Sequence, residues 1–492
     1  MANRSVPGQA RFGRSTTRGA LWNAFAYGAS KLALLPTTVI LARLLSPQEF
    51  GLVALGLLVL TYLDVLRQFG ISSALIQWPD DDDLMATVAF WLSLISGLVI
   101  AAGAMLLAPI VAGFFRQPEL TAILRVLAVA FVVDSVAGVY EARVRKRLQF
   151  GRRVGPELGR AVAKGATAIA LAFLGFGVWS LILGQLAGSL AAAALYWSVS
   201  HWGPSLRFDR SIARSLCSFG SQYALFAILA VVIKDVDYLI IGRRMSTEAL
   251  GYYTLAFRLP EMAVLGICYV ISQTVFPVFS KLQAEPERLA GAFTRTVRIL
   301  LLVTLPVAIG MSLVAPELIH VAFSARWSPA VPVMRWLALY AAVLAVGFVA
   351  GDAYKALART GLLNLLAVGR IAITVPVLWV AGSQGIGEVA AAQFGVACVI
   401  VVLEVIIALR ILGVPLARFI AAVAAPLGAV LIMATSVLLA RWAVPDGAPA
   451  VRLVPLVCVG ALTYAGAVWF LARSTVVDVM RHGRLGPLGR TA

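Results

Sequence analysis

Charged residues are scarce in this 492-residue sequence, at 13%, whereas hydrophobic residues reach 61% and the mean hydropathy is +0.91. Soluble globular domains average about 25% charged and about 45–50% apolar residues. A soluble core could not bury so much apolar surface, so lipid must solvate much of the chain. The composition excludes a disordered protein, a secreted disulfide scaffold and an ordinary cytosolic enzyme.

Residues that bind metals or carry redox chemistry are also few. The sequence has four cysteines and three histidines, with no CxxC pair, HExxH motif, Walker A loop or dinucleotide-binding glycine fingerprint. We therefore expect no cofactor, no zinc site and no ATP hydrolysis by this chain. No predicted loop exceeds about 20 residues, so we expect no soluble domain that could hold a catalytic centre.

The charge that is present is mostly basic, with a formal net charge of +18. In a soluble protein this would suggest nucleic-acid binding. Here the basic residues lie between apolar stretches, and with the N-terminus inside about 25 Lys and Arg fall in cytoplasmic segments and about 8 in the opposite ones. The sequence therefore predicts an all-α integral membrane protein of about fourteen transmembrane helices, with both termini cytoplasmic and no nucleic-acid partner.

The chain resembles itself at an offset of 200 residues. The segment ILARLLSPQEFG at 40–51 aligns with IIGRRMSTEALG at 240–251, and Leu55 with Leu255 extends the register. Each copy is predicted to be a helix end, a turn with a capping serine and the start of the next helix. Six spans separate the copies, so both halves have the same orientation, and such repeats are typical of transporters.

The predicted organisation is therefore two parallel six-helix repeats plus two C-terminal helices. Spans five and six are divided only by a short hinge at Gly175–Gly177. The predicted parts are a basic cytoplasmic N-terminus (1–18), an N-lobe of spans 1–6 (19–200), a cytoplasmic inter-lobe loop (201–214), a C-lobe of spans 7–12 (215–411), spans 13–14 (412–472) and a cytoplasmic tail (473–492).

Three stretches carry a family resemblance: Ile40–Gln77, Leu239–Leu282 and Arg326–Leu357. They resemble the Wzx-type polysaccharide flippases of the multidrug/oligosaccharidyl-lipid/polysaccharide exporter superfamily, nearest the WzxC-like branch. The resemblance implies a two-lobed bundle in the bacterial inner membrane that works by alternating access. It also implies transport of a polyprenyl-diphosphate-linked oligosaccharide from the cytoplasmic to the periplasmic leaflet, for surface polysaccharide, exopolysaccharide or lipopolysaccharide biosynthesis. A polysaccharide polymerase and other export components are expected partners beside the substrate and the bilayer.

Charged residues inside the predicted spans are candidates for the transport site, because a charge near the bilayer centre costs about 2.5–3.5 kcal/mol on insertion scales. Arg matches phosphate oxygens as a bidentate fork and Lys as a point charge. The opposite-charge pairs Asp64/Arg67 and Arg258/Glu261 have the i,i+3 spacing of one helix face. The predicted diphosphate-binding cations are Lys31, Arg67, Lys234, Arg258 and Arg370, and the predicted charge partners or ion-coupling carboxylates are Asp64, Asp235, Asp237 and Glu261.

Other readings of these charges stay open. They are also explained as structural ion pairs or as chain ends reaching the interface, and the carboxylates are alternatively ligands for a coupling Na⁺ or H⁺. Glu157, Arg160 and Lys164 are interpreted as interfacial anchors at the cytoplasmic end of span five. Five tryptophans at predicted span ends are interpreted as an interfacial belt: Trp22, Trp78, Trp202, Trp327 and Trp442.

Three other functions compete with the flippase. A cation-coupled drug antiporter of the same superfamily usually has twelve spans, so the two extra spans argue against it. A membrane enzyme of glycan assembly, such as a polymerase, is disfavoured by the short loops. A peptidoglycan-precursor flippase shares the fourteen-span plan, but the WzxC-like turn motifs favour a surface polysaccharide.

Overall fold

The computed structural model describes residues 35–68, 75, 83–147, 150–445 and 447–473; the side chains of 66–68, 150 and 217–230 are outside the description. Over these residues the regular structure is helical throughout, without a strand. The predicted all-α class is therefore confirmed. By their contacts, the described residues divide at Gly251/Tyr252 into two compact units. The predicted lobe boundaries at 200 and 215 stay predictions.

The first unit holds the helices up to the start of α8. They are α1 (Leu35–Leu44), α2 (Pro47–Gln68), α3 (Asp83–Phe115), α4 (Leu120–Lys146), α5 (Phe150–Phe173), α6 (Val178–Ser200) and α7 (Arg210–Arg244).

The second unit begins inside α8 (Thr247–Pro260), which continues through a π-helical turn (Glu261–Leu265) into α9 (Gly266–Lys281). It continues with α10 (Pro286–Leu313), α11 (Ala315–Ala322), a 3₁₀ turn (Ala325–Trp327), α12 (Ala330–Ala356), α13 (Thr360–Ala381), α14 (Ile386–Leu412), α15 (Leu416–Ala443) and α16 (Pro449–Leu471).

Eleven helical segments among the described residues are long and apolar enough to cross a membrane, with α8 and α9 counted as one segment. The chain is thus a multi-span membrane protein, while the count of fourteen stays a prediction. α5 is not among the eleven, because even its most apolar stretch contains three charged residues: Glu157, Arg160 and Lys164. These charges therefore need an explanation other than lipid exposure.

The predicted hinge between spans five and six is confirmed. α5 ends at Phe173 and α6 begins at Val178. Between them Gly175 has φ +81° and Gly177 has φ +53°. Residues with a Cβ rarely adopt these left-handed values, so glycine at both positions lets the chain reverse within four residues.

Each unit has its own apolar core. In the first unit one cluster includes Met85, Tyr140 and Tyr196, from α3, α4 and α6. In the second unit a larger cluster includes Phe293, Tyr354 and residues of α14–α16. The helices that would be spans 13 and 14 therefore pack into the core of the second unit.

The two repeat turns have the predicted serine caps. Ser46 and Glu49 form a reciprocal capping box, in which Ser46 N donates to Glu49 Oε2 at 2.7 Å and Glu49 N donates to Ser46 Oγ at 3.3 Å. Ser246 Oγ accepts from Ala249 N at 3.1 Å. These bonds satisfy the free N–H groups at the starts of α2 and α8.

The starts of α2 and α8 also cross each other at a pair of glycines within the first unit. A Cβ on Gly51 would overlap the carbonyl oxygen of Thr247, and a Cβ on Gly251 would overlap that of Pro47. Replacing each residue by its equivalent 200 positions away turns one contact into the other. The sequence repeat is therefore also a local two-fold relation, and it requires glycine at both positions.

Candidate functional site

Arg258 and Glu261 form the ion pair that their i,i+3 spacing predicts. Arg258 Nη1 lies 3.6 Å from Glu261 Oε2, and the side chains are 33% and 30% exposed. Arg258 is eleven residues after Thr247, or about 17 Å along the helix. Arg258 therefore lies inside a helical segment, Thr247–Lys281, that is long and apolar enough to cross a membrane.

The backbone at this pair is irregular. Pro260 ends the α-helical part of α8, and Glu261 opens the π-helical turn. Proline and π turns are common causes of helix bending, and π turns recur at functional sites. Arg258 and Glu261 therefore flank a point at which bending of the helix is expected, and their role as site residues stays a prediction.

The predicted charges of α7 lie on two sides of that helix. Asp235 and Asp237 are buried, at 9% and 3% exposure, whereas Lys234 is exposed. Asp237 Oδ1 accepts from the backbone N–H of Tyr238 at 2.9 Å. Both carboxylates are within electrostatic range of the Tyr62 hydroxyl on α2. Of Lys234, Asp235 and Asp237, the lysine alone is exposed.

Asp64 on α2 is half-buried, and Arg67 lies in the same helix. The side chain of Arg67 and the whole of Lys31 are outside the described residues. The predicted Asp64/Arg67 pair and the role of Lys31 therefore stay predictions.

Arg370 is paired with a carboxylate that the sequence analysis missed. Arg370 Nη2 on α13 donates to Glu404 Oε1 on α14 at 2.9 Å, with exposures of 22% and 14%. The Tyr354 hydroxyl on α12 donates to the backbone carbonyl of Glu404. Glu404 interrupts an apolar run in the sequence, and that position inside a predicted span was the signal that could have identified it.

Arg160 and Lys164, interpreted from the sequence as interfacial anchors, make contacts between helices, and their place at the membrane interface stays a prediction. Arg160 Nη1 donates to Asp134 Oδ1 on α4 at 2.8 Å, and Ser189 Oγ on α6 donates to Asp134 Oδ2 at 2.9 Å. Lys164 Nζ donates to Gln185 Oε1 on α6 at 2.6 Å. These side chains form a layer of polar contacts between the three helices α4, α5 and α6.

A metal centre finds no support in the described residues. Over the ranges given above, no group of three or more His, Cys, Asp or Glu side chains could hold a metal ion. The polar groups brought together among the described residues are ion pairs and hydroxyl or amide contacts.

The helical bundle, with its eleven candidate spans among the described residues, defines a polytopic membrane protein. Residues 40–332 match the family described as Polysaccharide biosynthesis protein. Because the match covers more than half of the chain, the chain belongs to that family.

Curated relatives carry related descriptions. The chain is 27% identical over 281 residues to the teichuronic acid biosynthesis protein TuaB of Bacillus subtilis (strain 168), covering 56% of this chain and 58% of the relative. It is 25% identical over 376 residues to the lipopolysaccharide biosynthesis protein WzxC of Escherichia coli (strain K12), covering 75% of each. The chain thus spans less than two thirds of the first relative and three quarters of the second.

Solved structures confirm the fold. The lipid II flippase MurJ in an inward closed conformation matches with a TM-score of 0.76 and 16% identity, over 93% of this chain and 99% of that one. An inward-facing multidrug resistance MATE family transporter matches with a TM-score of 0.64 and 15% identity, over 78% and 94% of the chains. At these identities the likeness establishes the fold and leaves the substrate open.

Proposed function

We propose that the protein is a flippase that moves a polyprenyl-diphosphate-linked oligosaccharide from the cytoplasmic to the periplasmic leaflet by alternating access. The observation that carries the proposal is the family match across residues 40–332. This range contains Arg258, whose side chain is about one-third exposed inside a helical segment that is apolar enough to cross a membrane. A charge inside such a segment needs an anionic or aqueous partner rather than lipid.

The cations supply the chemistry of recognition. Arg258, Lys234 and Arg370, with Lys31 and Arg67 from the sequence, would bind phosphate oxygens through charge-assisted hydrogen bonds. The carboxylate of Glu261 would hold Arg258 in place while the site is empty. The buried carboxylates Asp235 and Asp237 are the proposed site of coupling to Na⁺ or H⁺.

The alternative is a cation-coupled drug antiporter, and the likeness to a MATE transporter supports it at the level of the fold alone. An antiporter would export small organic cations and would not need positive charges at mid-membrane. A membrane enzyme of glycan assembly is less well supported, because the relatives' fold is that of transporters.

Reconstitution into proteoliposomes tests the proposal. The expected result is protein-dependent movement of a fluorescent prenyl-diphosphate-linked oligosaccharide between leaflets, read as its accessibility to a membrane-impermeant quencher. A cationic dye such as ethidium should not be transported. Movement of ethidium without movement of the lipid-linked oligosaccharide would replace the flippase with the antiporter.

The protein would lie in a bacterial inner membrane with both termini on the cytoplasmic side. A polysaccharide polymerase would receive the product at the periplasmic leaflet. The basic loop around Arg147 supports this orientation. A reporter fused after Arg147 should report cytoplasm, and one fused after Ser324 should report periplasm. A periplasmic signal after Arg147 would reverse the orientation.

A further inference from the structure

The linker that joins α6 to α7 is held against the first unit at three points. Near its start, the Trp202 ring lies 4.5 Å from the guanidinium carbon of Arg143 on α4. In its middle, the indole N–H of Trp91 on α3 donates to the backbone carbonyl of Ser205 at 2.8 Å. At its end, the Asp209 carboxylate accepts two backbone N–H bonds at 2.7 and 3.2 Å and caps α7. These contacts fix the path of the linker.

Between these anchors the linker turns large apolar side chains outward. Leu206 is 89% exposed and Phe208 is 48% exposed. Single exposed apolar residues are common on proteins. Here two of them lie within three residues, on a backbone that is anchored on both sides. Water solvates such side chains unfavourably, so the linker presents a small apolar surface that a less polar environment would stabilise.

Positive charge accompanies these apolar side chains. Arg207, Arg210 and Arg214 are all exposed. Among the described residues, no carboxylate lies within ion-pair distance of these three guanidinium groups. Asp209 is the only acidic residue between Arg207 and Arg214 in the sequence, and it already caps α7. The segment therefore has an excess of exposed positive charge.

A second basic segment lies beside the linker. The contact of Arg143 with Trp202 brings the C-terminal turn of α4 next to the start of the linker. Arg145 and Arg147, in and directly after that turn, are exposed. The nearest ionic contact of Arg145 is a long one, 3.9 Å to Glu141. Exposed arginines of two neighbouring connections thus lie at the same end of the first unit.

The length of α6 places the linker near a membrane surface. α6 is one of the apolar helices that can cross a membrane, and its 23 residues extend about 35 Å. Because a hydrocarbon core is about 30 Å thick, a chain that leaves such a helix emerges among the headgroups. Trp197 in the last turn of α6 is 63% exposed, as is usual for an aromatic ring at that level.

We propose that the linker and the first turns of α7 form a binding surface for the anionic phospholipids of the bilayer. The two exposed apolar side chains enter the headgroup region, and the three exposed arginines bind phosphate oxygens through charge-assisted hydrogen bonds. Apolar area and positive charge strengthen each other in surfaces of this kind. The inference is independent of the proposed function, because it involves no transported molecule.

Fluorescence quenching in lipid nanodiscs tests the surface. The full-length protein, with its native cysteines replaced by serine, carries Leu206→Cys labelled with the polarity-sensitive dye NBD. The nanodiscs contain a lipid with a nitroxide quencher near its headgroup, in phosphatidylcholine alone or mixed with phosphatidylglycerol. Quenching should be about twofold or more stronger in the mixed bilayer, because anionic lipid attracts the arginines. High salt should reduce the difference, because it screens exposed charges.

Charge variants separate a local surface from overall charge. Arg207→Gln/Arg210→Gln should lower quenching in the mixed bilayer to the level seen in phosphatidylcholine. The matched control is Arg116→Gln/Arg125→Gln, which removes two exposed arginines after the far end of α3 and at the start of α4. Quenching of the Leu206→Cys label should stay at its original level in this control, because these arginines lie at the opposite ends of those helices.

A label on the lipid-crossing part of the first unit controls for reconstitution. Val99, in the middle of the apolar helix α3, is 65% exposed. A Val99→Cys label should be quenched equally in both bilayers and in both arginine variants.

Three results would overturn the proposal. The first is equal quenching of the Leu206→Cys label in the two bilayers, or quenching that persists in Arg207→Gln/Arg210→Gln. The second is an equal loss in both arginine pairs, which would indicate overall charge. The third is no quenching of the Leu206→Cys label in either bilayer while Val99→Cys is quenched, which would place the linker in water, where a soluble partner could bind it.

Discussion

The two arginines of the predicted site that have a described ion pair differ in where the partner lies: within the same helix or in a neighbouring one. Arg258 and Glu261 pair within one helix and remain about one-third exposed. Arg370 and Glu404 pair between two helices and are less exposed. The first arrangement leaves the cation accessible to a ligand, whereas the second ties it to the packing of α13 on α14, so the two arginines should respond differently to substitution.

Arg258→Ala should reduce polysaccharide export strongly with the protein still inserted. Loss of a charge-assisted hydrogen bond to phosphate costs about 1.5–3 kcal/mol, which is about a tenfold to hundredfold loss of affinity. Arg258→Lys should restore export only in part, because a point charge replaces a fork. The measurement is export per amount of membrane-inserted protein.

The control for Arg258 is Arg288→Ala, which removes an arginine with the same i,i+3 glutamate spacing. Arg288 Nη1 lies 2.7 Å from Glu285 Oε2, but Arg288 is 62% exposed at the start of α10. Export should stay near the wild-type level in this variant, since exposed pairs contribute little. Full export in Arg258→Ala would assign Arg258 a structural role instead.

For Arg370, single and double substitutions should separate stability from binding. Arg370→Gln or Glu404→Gln alone leaves one charge without its partner between helices, at a cost of about 3–5 kcal/mol for a buried pair and less here because both are partly exposed. The double variant should regain most of the thermal stability but bind farnesyl diphosphate several-fold more weakly. A stable double variant with wild-type affinity would remove Arg370 from the substrate site.

The sequence states which residues are charged, but it did not predict how deeply each side chain is buried. Arg143 belongs to a run of basic residues typical of a cytoplasmic loop, yet its side chain is 3% exposed, bonded to Asp83 at 2.7 Å and stacked 4.5 Å from the Trp202 ring. Trp327, placed in an interfacial belt, is fully buried. Such contacts join residues far apart in sequence, so local pattern alone does not specify them.

At the scale of the helices, local rules predicted most of what is observed. The Ser46 and Ser246 caps and the Gly175–Gly177 hinge depend on neighbouring residues only, and the structure confirms them. The repeat predicted that the two turns approach each other, but not that they meet at Gly51 and Gly251. The alignment shows that two residues are equivalent, but it does not show that they touch.

Gly51→Ala and Gly251→Ala should each destabilise the crossing. A methyl group at either position would overlap a backbone carbonyl oxygen of the other helix, and overpacking of this kind typically costs about 1–3 kcal/mol. The expected result is a lower thermal unfolding midpoint and reduced export for both variants.

Gly103→Ala is the matched control for the crossing. Gly103 lies inside α3, and a Cβ there would have no neighbour within 4 Å. Because alanine favours helix over glycine by up to about 1 kcal/mol, this variant should be neutral or slightly more stable. Equal effects at positions 51, 251 and 103 would contradict the proposed crossing.

For the whole molecule, the apolar composition and the repeat were enough to predict an all-helical multi-span membrane protein, and the solved relatives confirm its fold. The substrate is harder to infer, because recognition depends on a few half-buried charges whose partners come from distant helices. Asp134 lies 26 residues before Arg160, and Glu404 lies 34 residues after Arg370. The sequence located one member of each pair but not the pairing.

Alternating access makes a specific prediction for the two repeat turns. Gln48 and Glu248 are exposed residues next to the contacting carbonyls of Pro47 and Thr247. If the turns separate during transport, Gln48→Cys/Glu248→Cys in a background with the native cysteines replaced by serine should cross-link under oxidation and block export. Reduction should restore export, because the bond would hold the crossing of α2 and α8 closed.

The single variants Gln48→Cys and Glu248→Cys are the controls, and oxidation should leave their export unchanged. The cross-link should be confirmed by mass and its yield compared with the fraction of export lost. Complete cross-linking with export at the normal rate would count against separation of the turns. Such a result would favour a static groove along which the headgroup slides while the glycine crossing stays closed.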